Sequence, residues 1–588
     1  MSGLTDIDKM RELALKYALK NAIDHGGKAK VGPVISKIIG SDPSLRPYAR
    51  EVAKIVTEVV AEVNKLSVEE QVRLLKEKFP EVLEERKAKE IKEGLPPLPN
   101  ADRYETIVTR FAPNPDFLIH LGNARPAILS YEYARMYKGK MILRFEDTDP
   151  RLKSPVLDAY KLIKEDLLWL GVKWDEEYVQ SLRMEIYYDV VRGLIKVGGA
   201  YVDLCKAEEF KKYRALRKPC PHRKQDQETN LDLWDKMLSG HYGEGEAVLR
   251  IKTDLNYPDP SVIDWVAFRI IDTDKYPHPL TGSRYIVWPT YNFAAAVDDH
   301  LMGVTHILRA KEHMTNTIKQ KFLYKHLGWG YPETIHFGRL SLEGFILSKS
   351  RIRELIGRYG LKVNDIRFGL IASLRRRGIE PEAIRKLIME VGVKPIDATI
   401  SWDNLAAINR KLIDHKTIRL MFVRPLKLII KGVPKDTYVL EIPNHPSVKD
   451  LGTRRLSIKC VKEGVLEVFI DRSDTELFKK RKLVRLMEFL NVTPVEVGND
   501  VVVSKYHSKD LMSARRLNAP IIQWVPAYNY VNVSILNNVG KKLIIEKGIA
   551  EPYVMSLSEG SKAQFVRFGF VKVERKTRKR VYCIFTHT

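Results

Sequence analysis

The chain has 588 residues, 44% hydrophobic and 29% charged, a globular composition that excludes a disordered or fibrous protein and suits about four domains. Lys and Arg number 99 against 74 Asp and Glu, a net charge of +25, which points to a polyanionic partner, nucleic acid ahead of an anionic membrane. Four cysteines make no disulfide framework at this length, the first 20 residues carry acids before any apolar run, and no window approaches 18 apolar residues, so a cytoplasmic protein without signal peptide or membrane span is expected.

Residues 1–94 read as a helical domain. Val52, Ile55, Val56, Val59 and Val63 form an i, i+3, i+4 stripe, and Ser67 with Glu70 forms a capping box before Val72, Leu74 and Leu75. HGGKAKVG at 25–32 reads as a basic loop, and the proline-rich 95–103 as a linker. Residues 1–103 carry a net +2, so the remaining +23 lies beyond them.

From 104 to 200 the text alternates. Thr106–Phe111 reads as a strand, Ala124–Tyr137 as a helix and Lys140–Phe145 as a strand. A helix follows with Leu162, Ile163, Leu167 and Leu168 on one face. That alternation predicts a parallel sheet wound with helices. Residues 201–288 are mixed and rich in turns, and 289–345 return to strand and helix. From about 418 to 588 strands dominate (LKLIIKG, TYVLEI, VLEVFIDR, VEVGNDVVVS, VNVSIL, KKLIIEKG, KRVYCIF), which predicts barrels or sandwiches.

Two segments carry chemistry. Pro113–Arg125 (PNPDFLIHLGNAR) lies between a strand and a helix. A helix start offers free N–H groups and a positive dipole end to a phosphate, Gly122 permits close approach, and His120 and Asn123 are short donors on the same turn. Ile346–Arg351 (ILSKSR) sets hydroxyls around Lys349 in a polar loop before a helix starting near Arg353. Each segment taken alone is an ordinary loop. Together, more than 200 residues apart, they are far more specific.

HLGN at 120–123 and ILSKS at 346–350 resemble the two signatures of class I aminoacyl-tRNA synthetases. TRFAP at 109–113, LRFEDTDP at 143–150, PTYNF at 289–293 and VDDHLMGVTH at 297–306 resemble the glutamyl/glutaminyl branch. Phe117, where the family usually has Gly, and Ile346-Leu347 in place of Lys-Met depart from the pattern. SLRRRG at 373–378, ISW at 400–402, VRPLKL at 423–428, IDRSD at 470–474 and QWV at 523–525 are similar to the approach and barrels of the archaeal type.

The resemblance implies an α/β Rossmann-type class I catalytic domain, split into 104–200 and 289–345 around an acceptor-stem insertion at 201–288. A signature loop and helical connection would occupy 346–417, and antiparallel β-barrels binding the anticodon 418–588. It implies a glutamate–tRNA ligase using ATP and Mg²⁺, with tRNA-Glu as partner and tRNA-Gln left open. His120, Gly122, Asn123, Ser348 and Lys349 would hold ATP, with His120 and Lys349 catalytic. Arg110, Glu146, Tyr291 and Arg309 would hold glutamate, with Arg309 selecting a carboxylate over an amide. Arg375, Arg376 and Arg377 are candidate tRNA contacts.

Asp203, Cys205, Cys220 and His222 stand where related enzymes can carry a zinc site. With Asp203 in a thiolate's place no metal is expected. The helical 1–94 leaves tRNA contact, a protein partner or added stability open. A glutaminyl ligase and a non-catalytic tRNA-binding relative are the rival readings.

Overall fold

The computed structural model describes residues 3–24, 27–42, 45, 48–80, 82, 94–540 and 542–588. They fall into two units, Met1–Pro96 and Pro97–Thr588.

The first unit packs α1 (Gly3–Asp24), α2 (Val31–Ser41), α3 (Ala49–Val63) and α4 (Val68–Lys78). The valine stripe of α3 is its buried face, and α1 packs into the same core with Leu19 and with Ala14, Ala18 and Ala22, whose small side chains suit close approach. Ser67 and Glu70 close the capping box on α4. The loop predicted at 25–32 is shorter than expected: Val31 and Gly32 already belong to α2, while His25 and Gly26 lie outside the described residues, as do residues 83–93 of the predicted helical domain.

The second unit is built on a five-stranded parallel sheet. Its strands are β1 (Val108–Phe111), β2 (Lys140–Phe145), β3 (Glu176–Val179), β8 (His306–Ala310) and β9 (Glu333–Phe337), in the order β3-β2-β1-β8-β9. Chain order runs outward in opposite directions from β1 and from β8. These neighbours form the switch point at whose carboxyl ends open α/β sheets bind ligands. Helix α5 (Leu121–Met136) follows β1, and α6 (Leu157–Trp169) follows β2. On α6 the buried face is Ala159, Ile163, Asp166 and Leu167. Leu168, expected beside them, is exposed, because five positions beyond Ile163 it is rotated well off the stripe.

Between β3 and β8 come α7 (Met184–Lys196) and an antiparallel sheet of β4 (Ala200–Asp203), β5 (Val248–Ile251), β6 (Val266–Ile270) and β7 (Val287–Pro289). Its Trp234–Phe268–Trp288 core is continuous with α7, α8 (Tyr291–Leu301) and α9 (Met314–Leu327), so this sheet is fixed to the parallel one. β10 (Leu340–Leu342) pairs with β11 (Ala398–Ile400), framing α10 (Lys349–Tyr359) and α11 (Ile371–Arg377).

Beyond residue 417 lie two seven-stranded sheets and a hairpin, Thr437–Pro443 with Thr453–Lys459. One sheet is built from 425–526. The other takes 418–423 and 531–587, so the chain starts one sheet, builds its neighbour and returns. The pairing is mixed where antiparallel barrels were expected: Pro425–Lys431 lies parallel to Val501–Ser508, and Val531–Val539 parallel to Arg580–His587. Each parallel neighbour comes from a distant segment, which no hairpin reading of the sequence anticipates.

Candidate active site

A cleft of about 700 Å³ opens at the carboxyl ends of β1, β2 and β8, over the switch point. Arg110, on β1, is 4% exposed, and its Nε donates to Asp299 Oδ1 at 3.1 Å. The fully buried Arg144 donates to the same oxygen at 2.8 Å and to Glu146 Oε1 at 3.0 Å. Asp299 on α8 therefore fixes one cleft-lining arginine directly and, through Arg144, the carboxylate of Glu146. Burial raises the Glu146 pKa above the usual carboxylate range against the pull of Arg144 and Arg110.

Arg309, at the end of β8, is 5% exposed. Its Nη2 donates to Thr317 Oγ1, Gln320 Oε1 and Tyr331 OH at 2.6, 3.0 and 2.9 Å. All three are neutral acceptors. Its Nε and Nη1 are buried without a partner, and among the described residues no carboxylate pairs with it. A buried cation left this way is a place for a ligand carboxylate. Tyr291, first residue of α8, faces the same cleft; burial, and then the nearby Glu146 charge, raises its pKa.

The second half of the site is the turn into α5. His120 is the N-cap; its Nδ1 accepts the Gly122 N–H at 3.0 Å, and Asn123 Oδ1 returns to the His120 N–H at 3.4 Å. A Cβ on Gly122 would sit 2.8 Å from the His120 ring and 3.2 Å from Leu340 O, so the glycine two residues after the histidine is a steric requirement. Burial, aided by the Lys349 charge, lowers the His120 pKa to about 4. The imidazole is thus neutral, and with Nδ1 accepting, Nε2 carries the proton and is a donor.

Residues 367–371 bring the signatures together. Ile346 N–H donates to Arg367 O and Gly369 N–H to Ile346 O on one side; Leu121 N–H donates to Gly369 O and Ile371 N–H to Ile119 O on the other. The helix expected from Arg353 begins earlier: Ser348 is its N-cap, accepting from Arg351 N–H at 3.5 Å, and Lys349 is its first residue. Lys349 lines the cleft opposite His120. Phe117 packs beside Ile352, with Arg353 over its ring at 5.4 Å, so the residue replacing the usual Gly fastens this turn to α10.

Of the three arginines of α11, Arg377 is buried, and Arg375 and Arg376 are half-buried. Arg375 pairs with Asp166 at 3.4 Å and lies over Trp169, and Arg376 pairs with Glu574 at 2.6 Å. Arg377, 3% exposed, donates to Thr586 O at 3.1 Å and stacks on Trp402 at 4.4 Å. They tie the helix to the parallel-sheet domain and the last two strands, and the expectation that Arg377 meets tRNA is corrected on burial alone.

Asp203, Cys205, Cys220 and His222 do converge, with ligand atoms all within 4.8 Å of one another. Three of the donors suit zinc. The fourth, Asp203, already takes Arg250 Nε at 2.6 Å and the Cys205 N–H at 3.1 Å. Asp299 stands in the sequence only as part of VDDHLMGVTH, with no role assigned, and Thr317, Gln320 and Tyr331 went unnoticed. The i, i+3 spacing of Thr317 and Gln320 on a helix is the trace the sequence holds of that pair.

The fold and this cleft define an α/β protein with its site at the switch point of a parallel sheet, coupled to barrel-like sheets. Residues 106–415 match the family described as tRNA synthetases class I (E and Q), catalytic domain; residues 417–508 and 521–574 match its two anti-codon binding domains. The chain belongs to this family of class I tRNA synthetases. Relatives named glutamate–tRNA ligase include that of Hyperthermus butylicus, 56% identical over 96% of this chain and 100% of that protein. Those of Pyrobaculum islandicum (53%, 96% and 98%) and Aeropyrum pernix (50%, 99% and 99%) are similar along their lengths. Among the described residues no helix is long and apolar enough to cross a membrane.

Proposed function

We propose that this enzyme is a glutamate–tRNA ligase: it joins glutamate to ATP as glutamyl-adenylate, releasing pyrophosphate, and passes the glutamyl group to the 3′ end of tRNA-Glu. The names of its full-length relatives support this, and the observation in the cleft that carries it is Arg309, a buried guanidinium with neutral partners and two unpartnered nitrogens. The substrate γ-carboxylate supplies the missing charge, whereas an amide would leave it unpaired. Glu146 meets the α-ammonium group, and Arg110 with Tyr291 faces the α-carboxylate.

His120 Nε2–H, the Gly122–Asn123 turn, Ser348 and Lys349 hold the phosphates. Attack by the substrate carboxylate on the α-phosphorus builds negative charge on phosphoryl oxygens, and these fixed donors stabilise it without a protein nucleophile. Mg²⁺ enters with ATP, held by phosphates and water. Residues 201–288 grip the acceptor stem, 418–588 read the anticodon, and the +23 charge beyond residue 103 supplies salt-sensitive affinity for tRNA. The reaction belongs to the cytoplasm. The Asp203 cluster is held by its own hydrogen bonds and Arg250, without resident zinc.

Lys349→Ala tests the assignment. ATP–pyrophosphate exchange, measured with tRNA present, should be abolished while tRNA binding survives. Exchange at the wild-type rate would defeat it.

A further inference from the structure

Asp116 is 7% exposed and sits at the start of the first signature turn. Its Oδ1 accepts from Lys349 Nζ at 2.8 Å and its Oδ2 forms an ion pair with Arg353 Nη2 at 3.2 Å; that Nη2 donates to the Asp116 carbonyl. The two cations are four residues apart on α10, so one carboxylate holds one face of that helix. Asp116 itself is firmly placed. Its N–H donates to Asn114 Oδ1 at 2.9 Å, while the preceding Pro115 and Pro113 carbonyls accept from Val156 and Glu146 N–H.

A lysine at the first position of a helix meets the positive end of the helix dipole and is unfavourable without a counter-charge. Asp116 supplies that charge from a segment 233 residues away. An ammonium group has three donors, and one of them is committed here. The Lys349 side chain stays about a third exposed and lines the cleft, so donors remain for a phosphate.

We infer that Asp116 is a positioning residue: it holds Lys349 and the start of α10 against the His120 turn, so that the ammonium group is aimed at the phosphates before the reaction begins. The inference rests on the reading of Lys349 as the phosphate-holding residue. Its energetic logic is preorganisation, in which misplacing a reacting partner by an ångström costs on the order of tenfold to a hundredfold in rate.

Asp116→Asn keeps the shape and removes the charge. In glutamate-dependent, tRNA-supported exchange its kcat should fall about tenfold, with glutamate KM changed by less than about twofold and the thermal midpoint close to wild type. Asp116→Glu should restore part of the rate, and Arg353→Ala should lose less than Asp116→Asn. In single-turnover adenylate formation, adding Asp116→Asn to Lys349→Ala should cost under about twofold more, because both changes break one unit. Full additivity, an Asp116→Asn enzyme as fast as wild type, or one with a lower ATP KM and an unreduced kcat would overturn the inference. If Lys349→Ala alone leaves exchange intact, the phosphate-site reading fails with it; if Lys349→Ala is inactive and Asp116→Asn is unaffected, only the positioning role fails.

Discussion

Arg309→Ala probes amino-acid selection. The guanidinium is buried, so its attraction for a carboxylate is little screened by water, and truncating one partner of such a pair costs about 2–4 kcal/mol. At about 1.4 kcal/mol per factor of ten, that is a roughly 30- to 700-fold rise in glutamate KM. The fold should survive, because the acceptors left behind have other partners: Tyr331 OH donates to Gln320 Oε1 at 2.8 Å, and Thr317 Oγ1 lies 2.9 Å from His336 Nε2. Steady-state glutamylation with tRNA in excess reads the effect, with the ATP KM as control. A glutamate KM within about threefold of wild type, with the protein folded, would refute the reasoning and leave Arg309 as scaffold.

Folded His120, His313, His336 and His587 are all lowered to about 4, chiefly by burial, whereas the unfolded chain ionises them near 6.5. The unfolded state therefore binds more protons below 6.5, so stability present above that pH is lost as the pH falls toward 4. Guanidinium midpoints at pH 7, 5.5 and 4.5 should decline in that order, and a flat series would contradict it. Metal analysis of the protein purified without added zinc should give well below one equivalent, with the thermal midpoint unmoved by chelator, because Arg250 takes Asp203 Oδ2 and the Cys205 N–H takes Oδ1. A tightly held full equivalent would overturn this.

Local rules made much of the molecule legible. The capping box at Ser67, the valine stripe of α3 and the strand Lys140–Phe145 depend on neighbours within one or two turns, and they fold as read. Leu168 shows where such reading slips: apolar identity alone placed it on a face that helical rotation denies it. The candidate active-site residues carried by motifs, Ser348 excepted, line one cleft, while the groups that orient them, Asp299 beside Arg110 and the Thr317–Gln320–Tyr331 cradle around Arg309, are set by contacts between distant segments. The arginines of α11 illustrate the same limit. A basic triplet resembles an RNA contact in the sequence, yet Arg377 is buried against the Thr586 carbonyl and the Trp402 ring, while Arg375 and Arg376 stay partly exposed beside acids.

A buried guanidinium with no ion-pair partner among the described residues should make this enzyme select a carboxylate side chain. Side-by-side charging of purified tRNA-Glu and tRNA-Gln transcripts with glutamate and with glutamine tests it most directly. Glutamylation of tRNA-Glu is expected, with no detectable attachment of glutamine to either transcript. Glutaminylation as fast as glutamylation, or no charging with either amino acid, would contradict it.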